Sequence, residues 1–296
     1  MDGVEVQRPP AQRPPAALLG LARAALQEDV GRGDVTSRVT VAEESRARAR
    51  FVAREKLVVS GLEAARAVFF EAGSEEVSFA AFASEGDHLR EGYVLAEVEG
   101  SARPILAAER VALNLLMRLS GIATFTSRYV EAVSGTGARI ADTRKTTPGL
   151  RLLEKAAVRA GGGTNHRSGL DDGVLIKDNH LALSGGVTEA LRRAREHPGA
   201  PHLLKVEVEV ESLEMLEEAL RAGADAVLLD NMTPGEVRRC VELARRERPG
   251  VVVEISGGVN LQTVCSYAEA GPDLISVGAL THSAPAADIS LKVEPC

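Results

Sequence analysis

The sequence predicts an α/β protein, with an incomplete barrel of parallel strands in its C-terminal half and a separate α/β module before it. Three observations lead there. From about Arg139 onward, short β-rich runs alternate with amphipathic helical stretches. Nearly every run ends in charged, amide or glycine residues. Residues 17 to about 115 follow neither pattern.

The β-rich runs begin near Arg139, Gly173, Leu203, Asp225, Val251 and Leu274. Helical periodicity lies between them: Val237, Cys240, Val241 and Ala244 fall at i, i+3, i+4 and i+7, and Leu261, Val264, Cys265 and Ala268 repeat the spacing. Strand and helix in strict alternation give a parallel sheet. Six units between roughly residues 139 and 280 fall short of the ~250 residues of an eight-fold barrel, so the length permits an open barrel or a doubly wound sheet. The strand ends favour the barrel: Thr143-Arg144-Lys145, Lys177-Asp178-Asn179, Asp230-Asn231, Ser256-Gly257-Gly258 and Val277-Gly278-Ala279 would converge on one mouth.

The N-terminal part opens with Pro- and Arg-containing residues 1–16, read as a disordered leader without the apolar core of a signal peptide. A helix near Ala17–Glu28, a turn-rich stretch, and β-like runs around Ala47–Val59 and Val77–Val98 follow. A long helical segment, Leu106 to Ser134, leads into the barrel, with Ser120-Gly121 expected to break it.

Composition narrows the function. A net charge of −7 over 296 residues offers nothing global to attract a nucleic acid. No apolar run approaches the roughly 20 residues that span a bilayer. Cys240, Cys265 and Cys296 lack metal or disulfide spacing, which makes a reducing cytoplasm the expectation.

Any anion site must therefore be local. Arg144, Lys145 and Lys177 directly follow strand ends, and His166 and Arg167 sit in the glycine-rich stretch Gly161–Gly169. Such a cluster in an acidic protein predicts a small polyanion, its carboxylates or phosphates matched by guanidinium forks; a structural ion-pair network is the competing reading. Arg151, Lys155 and Arg159, at i, i+4 and i+8 with Glu154 nearby, read instead as a solvated helix face. In Lys205–Glu211, alternation places Val206, Val208 and Val210 on one face and Lys205, Glu207, Glu209 and Glu211 on the other. On a central strand those charges face the lumen; on an edge strand they face water. Asp230 shares a face with Ala226 and Leu228, and two lumen carboxylates suit ribose hydroxyls or Mg²⁺. The glycines at 257, 258 and 278 would let backbone amides approach a phosphate, a weak signal alone. Gly31-Arg32-Gly33 lacks the setting of a dinucleotide fingerprint. Glu85–Leu95 resembles a lipoyl-domain hairpin without its lysine, and His88 and His180 carry no assigned role.

Taken in order, the motifs Glu28–Thr36, Glu109–Asn114, Leu119–Thr124, Thr143–Gly149, Gly161–Asp172, Lys177–His180, Glu207–Glu209, Leu229–Asn231, Ser256–Gly258 and Val277–Thr281 resemble the quinolinate phosphoribosyltransferase family. The resemblance runs from about Ala17 to Val293 and shows no departure at a substrate position. It implies an N-terminal α/β sandwich (17–115, joined by 281–296) and a barrel domain (116–280) of six to seven strands. It implies transfer of a phosphoribosyl group from phosphoribosyl pyrophosphate to quinolinate with decarboxylation, and a homodimer with shared active sites. Arg110 would reach quinolinate from the partner subunit. Arg144, His166 and Arg167 would hold its carboxylates, with Thr143, Lys145 and Lys177 nearby. Glu209, preferred to Glu207, and Asp230 would take ribose and Mg²⁺. Ser256, Gly257, Gly258, Ser276, Val277 and Gly278 would hold the 5-phosphate. A same-fold enzyme for another pyridine carboxylate and a non-catalytic anion-binding barrel are the alternatives.

Overall fold

A computed structural model describes residues 13–73, 76–199 and 203–296. Residues 1–12 of the expected leader lie outside it, and the first helix begins at Ala16. The chain divides into two compact units, 1–124 with 284–296, and 125–283.

In the first unit, helix α1 (Ala16–Val30) buries Leu19, Ala22 and Leu26. The short helix α2 (Val35–Thr40) starts at Asp34, whose carboxylate accepts the Ser37 amide at 3.0 Å. Strands β1 (Arg46–Ala53), β3 (Val77–Ala81), β5 (Val94–Ser101) and β12 (Ile289–Pro295) form an antiparallel sheet in the order β12-β1-β5-β3. Alternation along β1 accounts for its two faces. Ala47, Ala49 and Phe51 are buried, while Arg48 and Arg50 pair across the strands with Glu99 and Glu97. Helix α3 (Leu62–Gly73) covers the apolar face, where Phe51, Phe69 and Phe79 lie 5.9–6.3 Å apart between ring centroids. A minor ribbon pairs β2 (Leu57–Val58) with β4 (His88–Leu89).

Helix α4 (Ala102–Ala132) carries the chain into the second unit and corrects one expectation. It does not break at Ser120-Gly121. The Ser120 hydroxyl exchanges hydrogen bonds with the backbone of Ser60, both at 3.0 Å. A side chain at Gly121 would bring its Cβ within 2.0 Å of the Pro285 carbonyl oxygen. The pair serves close packing on an intact helix.

The second unit is a six-stranded parallel sheet: β6 (Arg139–Ala141), β7 (Val174–Ile176), β8 (Val206–Val210), β9 (Ala226–Asp230), β10 (Val252–Ser256) and β11 (Leu274–Ser276). Its order is β6-β11-β10-β9-β8-β7. The sequence-consecutive strands β6 and β7 thus stand at opposite ends, as in a barrel left open between them. A parallel bridge from Ala141 to Thr164 lays the glycine-rich segment beside β6. This is the predicted open barrel, joined to the antiparallel N-terminal sheet with its helices.

β8 is flanked by β7 and β9, so it is not an edge strand. Its three valines are buried among covering elements, which sends Glu207 and Glu209 to the other face. Helix α9 (Pro234–Glu247) buries Val237, Cys240, Val241 and Ala244 as its period requires. Helix α10 spans only Val264–Ala268, leaving Leu261 and Cys265 exposed. The Asn260 side chain accepts from the amides of Gln262 and Thr263 and holds that stretch in a turn.

A second correction falls on helix α5 (Arg151–Ala160), where Arg159 is exposed as a solvated face requires but Lys155 is not. Lys155 is 2% exposed and ion-pairs with the fully buried Asp142, while Leu152 is 73% exposed. Glu154, also fully buried, accepts from the Thr147 amide (3.0 Å) and hydroxyl (2.7 Å). Arg151 donates to the Thr146 hydroxyl and the Ser168 carbonyl. Glu154 and Lys155 turn inward because the loops after β6 and around His166 present buried polar groups that need partners.

Candidate active site

The C-terminal ends of the six strands surround a cavity of about 710 Å³, within the range of small-molecule sites. Strand parity decides what faces it. The register places Glu209 beside Leu228 and Asp230 beside Ser256, so carboxylates, a hydroxyl and apolar side chains of neighbouring strands point the same way. Fourteen of the fifteen residues singled out from the sequence line it: Thr143, Arg144, Lys145, His166, Arg167, Lys177, Glu209, Asp230, Ser256, Gly257, Gly258, Ser276, Val277 and Gly278. The fifteenth, Arg110, is exposed on α4 and is not among the lining residues.

The cations that line the cavity differ in their partners. Lys177, at the end of β7, ion-pairs with Glu209, and its amide is capped by His180 Nδ1 at 3.0 Å. Arg144 and Lys145 have no ion pair among the described residues, and the buried Arg144 Nε has no hydrogen-bond partner there. Arg167 reaches the Gly173 carbonyl at 3.3 Å. Burial and then the neighbouring Arg144 lower its proton affinity from the ordinary guanidinium value. A purely structural ion-pair network would have satisfied these guanidinium groups internally. The Thr143 hydroxyl accepts the Lys145 amide (3.0 Å), and the Thr281 hydroxyl donates to the Lys145 carbonyl (2.8 Å), fixing the backbone under the cluster.

The mouth also holds Glu209, 7% exposed, and Asp230. Burial raises the Asp230 pKa, and repulsion from Glu209 adds to the rise. The Asn231 side-chain amide donates to Asp230 at 2.7 Å. Asn231 adopts φ 54°, and a Cβ on Gly257 would lie 2.1 Å from its side-chain oxygen, so the turn after β10 demands glycine. The buried Ser276 hydroxyl is also without a partner among the described residues.

Further lining residues were not among the fifteen, and two of them, Glu254 and His282, are ionisable. Parity gave a signal for Glu254, which shares a face of β10 with Val252 and Ser256. His282, one turn beyond Gly278, gave only helical spacing. His166 is the centre of a buried cluster. Its Nε2 lies 3.3 Å from Glu207 and 3.4 Å from Glu254, and its Nδ1 accepts the Arg167 amide at 2.7 Å. Hydrogen bonds to Glu207 and then Glu254 push the imidazole pKa up to about 10 against the opposing effect of burial. The Arg167 amide needs Nδ1 bare, so the ring keeps its single proton on Nε2 and we place the cluster's extra proton on Glu207, whose pKa burial raises.

An open α/β barrel whose mouth pairs unneutralised guanidinium groups with two carboxylates defines an enzyme of small polyanionic substrates. Comparison with known proteins makes the class specific. The family models for the quinolinate phosphoribosyl transferase C-terminal and N-terminal domains match residues 122–292 and 34–120. The chain is 45% identical over 269 residues, 90% of each chain, to a probable nicotinate-nucleotide pyrophosphorylase [carboxylating] of Bacillus subtilis. It is 44% identical over 271 residues to the nicotinate-nucleotide pyrophosphorylase [carboxylating] of Mycobacterium leprae, covering 91% of this chain and 94% of that one. The crystal structure of NadC from Streptococcus pyogenes aligns with a TM-score of 0.89 at 39% identity, over 97% of this chain and 99% of that one. The chain belongs to the quinolinate phosphoribosyltransferase family.

Proposed function

We propose that this protein transfers the phosphoribosyl group of phosphoribosyl pyrophosphate to quinolinate, releasing pyrophosphate and CO₂ and forming nicotinate mononucleotide. The observation that carries the reading is one cavity lined both by Arg144 and Arg167, which have no ion pair among the described residues, and by the carboxylates Glu209 and Asp230. Arg144 and Arg167, with His166 in the wall beside them, hold the two carboxylates of quinolinate as charge-assisted pairs. Lys145 and Lys177 face the pyrophosphate or 5-phosphate, and the backbones of Ser256–Gly258 and Ser276–Gly278 take the 5-phosphate.

Glu209 and Asp230 take the ribose hydroxyls and would hold Mg²⁺. Two neighbouring carboxylates that repel one another are a donor set a hard divalent cation relieves. The ion would neutralise phosphate charge as the glycosidic carbon becomes cation-like. Positioning and charge neutralisation carry that step, and no protein nucleophile is required. Once the pyridine nitrogen is alkylated, its positive charge stabilises the carbanion left as CO₂ departs, and that carbon then takes up one proton from solvent to give nicotinate mononucleotide.

Arg110 is assigned to a partner's quinolinate in a homodimer, on the resemblance of Glu109–Asn114 to the family. No described helix is long and apolar enough to cross a membrane, and we place the enzyme in the cytoplasm. Incubation with quinolinate, phosphoribosyl pyrophosphate and Mg²⁺, followed by detection of nicotinate mononucleotide and CO₂ in equal amounts, tests the reading. Failure to form either product refutes it.

A further inference from the structure

We propose that Glu254 is a positioning residue for the Arg144–Arg167 anion pair, acting through His166. The inference rests on the functional reading above and assigns work to a glutamate that reading leaves idle.

Glu254 sits in the middle of β10 and is 1% exposed. One carboxylate oxygen lies 3.4 Å from His166 Nε2; the other has no hydrogen-bond partner among the described residues. Glu207 approaches the same nitrogen from β8, two strands away. The intervening β9 presents Ala226 opposite Glu207 and Leu228 opposite Glu254, so both carboxylates converge over β9 on one imidazole edge.

The rest of His166 is equally committed. Its amide donates to Asp142 at 2.9 Å, its carbonyl accepts from Lys155 at 2.9 Å, and Nδ1 accepts the Arg167 amide at 2.7 Å. Residue 166 is thereby fixed to the end of β6, to α5, to β8 and to β10. Arg167 has little anchorage of its own beyond one 3.3 Å hydrogen bond to Gly173. Its guanidinium stays at the cavity wall because the residue before it cannot move.

The cost of this arrangement argues for its use. Two carboxylates buried beneath an anion site are unfavourable both for folding and for binding a dianion, and an apolar pair would be cheaper. The His166, Glu207 and Glu254 ligand atoms lie within 4.8 Å of one another, a spacing that would also suit a metal ion. A metal on Nε2, however, needs the ring proton on Nδ1, where the Arg167 amide already donates. The geometry therefore favours a hydrogen-bonded clamp.

The test is the isosteric Glu254→Gln, backed by Glu207→Gln should the first protein not fold. Glu254→Gln should raise the KM and the calorimetric Kd for quinolinate about tenfold, the scale of one lost charge-assisted hydrogen bond. The KM for phosphoribosyl pyrophosphate should stay within about twofold, since neither His166 nor Arg167 is among its proposed contacts. Unchanged quinolinate affinity overturns the inference. So does an equal loss for both substrates, the mark of a merely structural role. Stoichiometric metal in the purified wild type that Glu254→Gln abolishes overturns it too. Wild-type turnover is the control: an inactive wild type refutes the functional reading, whereas an active wild type with an indifferent variant refutes this inference alone.

Discussion

Truncating Arg167 to alanine separates binding from stability. In the free protein this guanidinium is half-buried, faces Arg144, and makes one long hydrogen bond to the Gly173 carbonyl. Its removal relieves like-charge repulsion and loses little packing. The unfolding temperature should move by no more than about 2 °C, which for a protein of this size is under 1 kcal/mol. Substrate use should behave oppositely. A charge-assisted hydrogen bond contributes about 1.5–3 kcal/mol, and with Arg144 left alone opposite a dicarboxylate the upper end applies. Quinolinate kcat/KM should fall roughly 10²-fold or more. Steady-state kinetics with quinolinate varied at saturating phosphoribosyl pyrophosphate, alongside thermal unfolding, read both quantities. Unchanged kinetics would remove Arg167 from the site, and a large loss of stability would make its role structural.

Asp230→Asn should impair use of phosphoribosyl pyrophosphate and shift the Mg²⁺ dependence while quinolinate binding to the free enzyme survives; collapse of quinolinate affinity would refute the proposed division of the cavity. Lys155→Met strands the buried Asp142 without its cation and should cost about 3 kcal/mol or more in denaturant unfolding; a wild-type midpoint would contradict the reading of α5. The raised pKa of the His166 cluster has a definite sign. Its folded value of about 10 exceeds the ordinary imidazole value, so its stabilisation is complete below about pH 6.5 and drains away as pH rises towards 10. Wild-type unfolding temperature should therefore fall across that window more steeply than that of Glu254→Gln, and parallel profiles would refute the assignment. Finally, Arg110→Ala and Lys177→Ala should each be nearly inactive, and reassembled mixtures should recover up to about a quarter of wild-type activity under random pairing of a two-fold dimer. No recovery with heterodimers present would return Arg110 to its own subunit.

Features with a local cause could be read from the sequence. The alternation in Lys205–Glu211 was enough to orient Glu207 and Glu209, and the strand-end positions of Arg144, Lys145 and Lys177 were enough to bring them together. Asp230 followed from the same parity. What escaped depended on distant partners. Helical spacing on α5 pointed Lys155 and Glu154 to solvent, because Asp142 and Thr147, which draw them inward, belong to a loop whose path spacing does not reveal. Ser120-Gly121 looked like a helix break because the approaching Pro285 carbonyl lies far along the chain. Glu254 stood as a lone glutamate in an apolar run, with none of the repetition that exposed β8, and only the convergence of β8 and β10 on His166 gives it meaning.

The central claim is that the cavity is built for a pyridine dicarboxylate and a phosphoribosyl donor. It is tested most directly by offering the enzyme quinolinate and nicotinate in competition, with phosphoribosyl pyrophosphate and Mg²⁺, and measuring CO₂ released against nicotinate mononucleotide formed. With two guanidinium groups matched to two carboxylates, the account predicts one CO₂ per nucleotide and a preference for quinolinate of about 10² or more, the value of one unmatched charge-assisted pair. Nucleotide formed from nicotinate at a comparable rate, without CO₂, would contradict it.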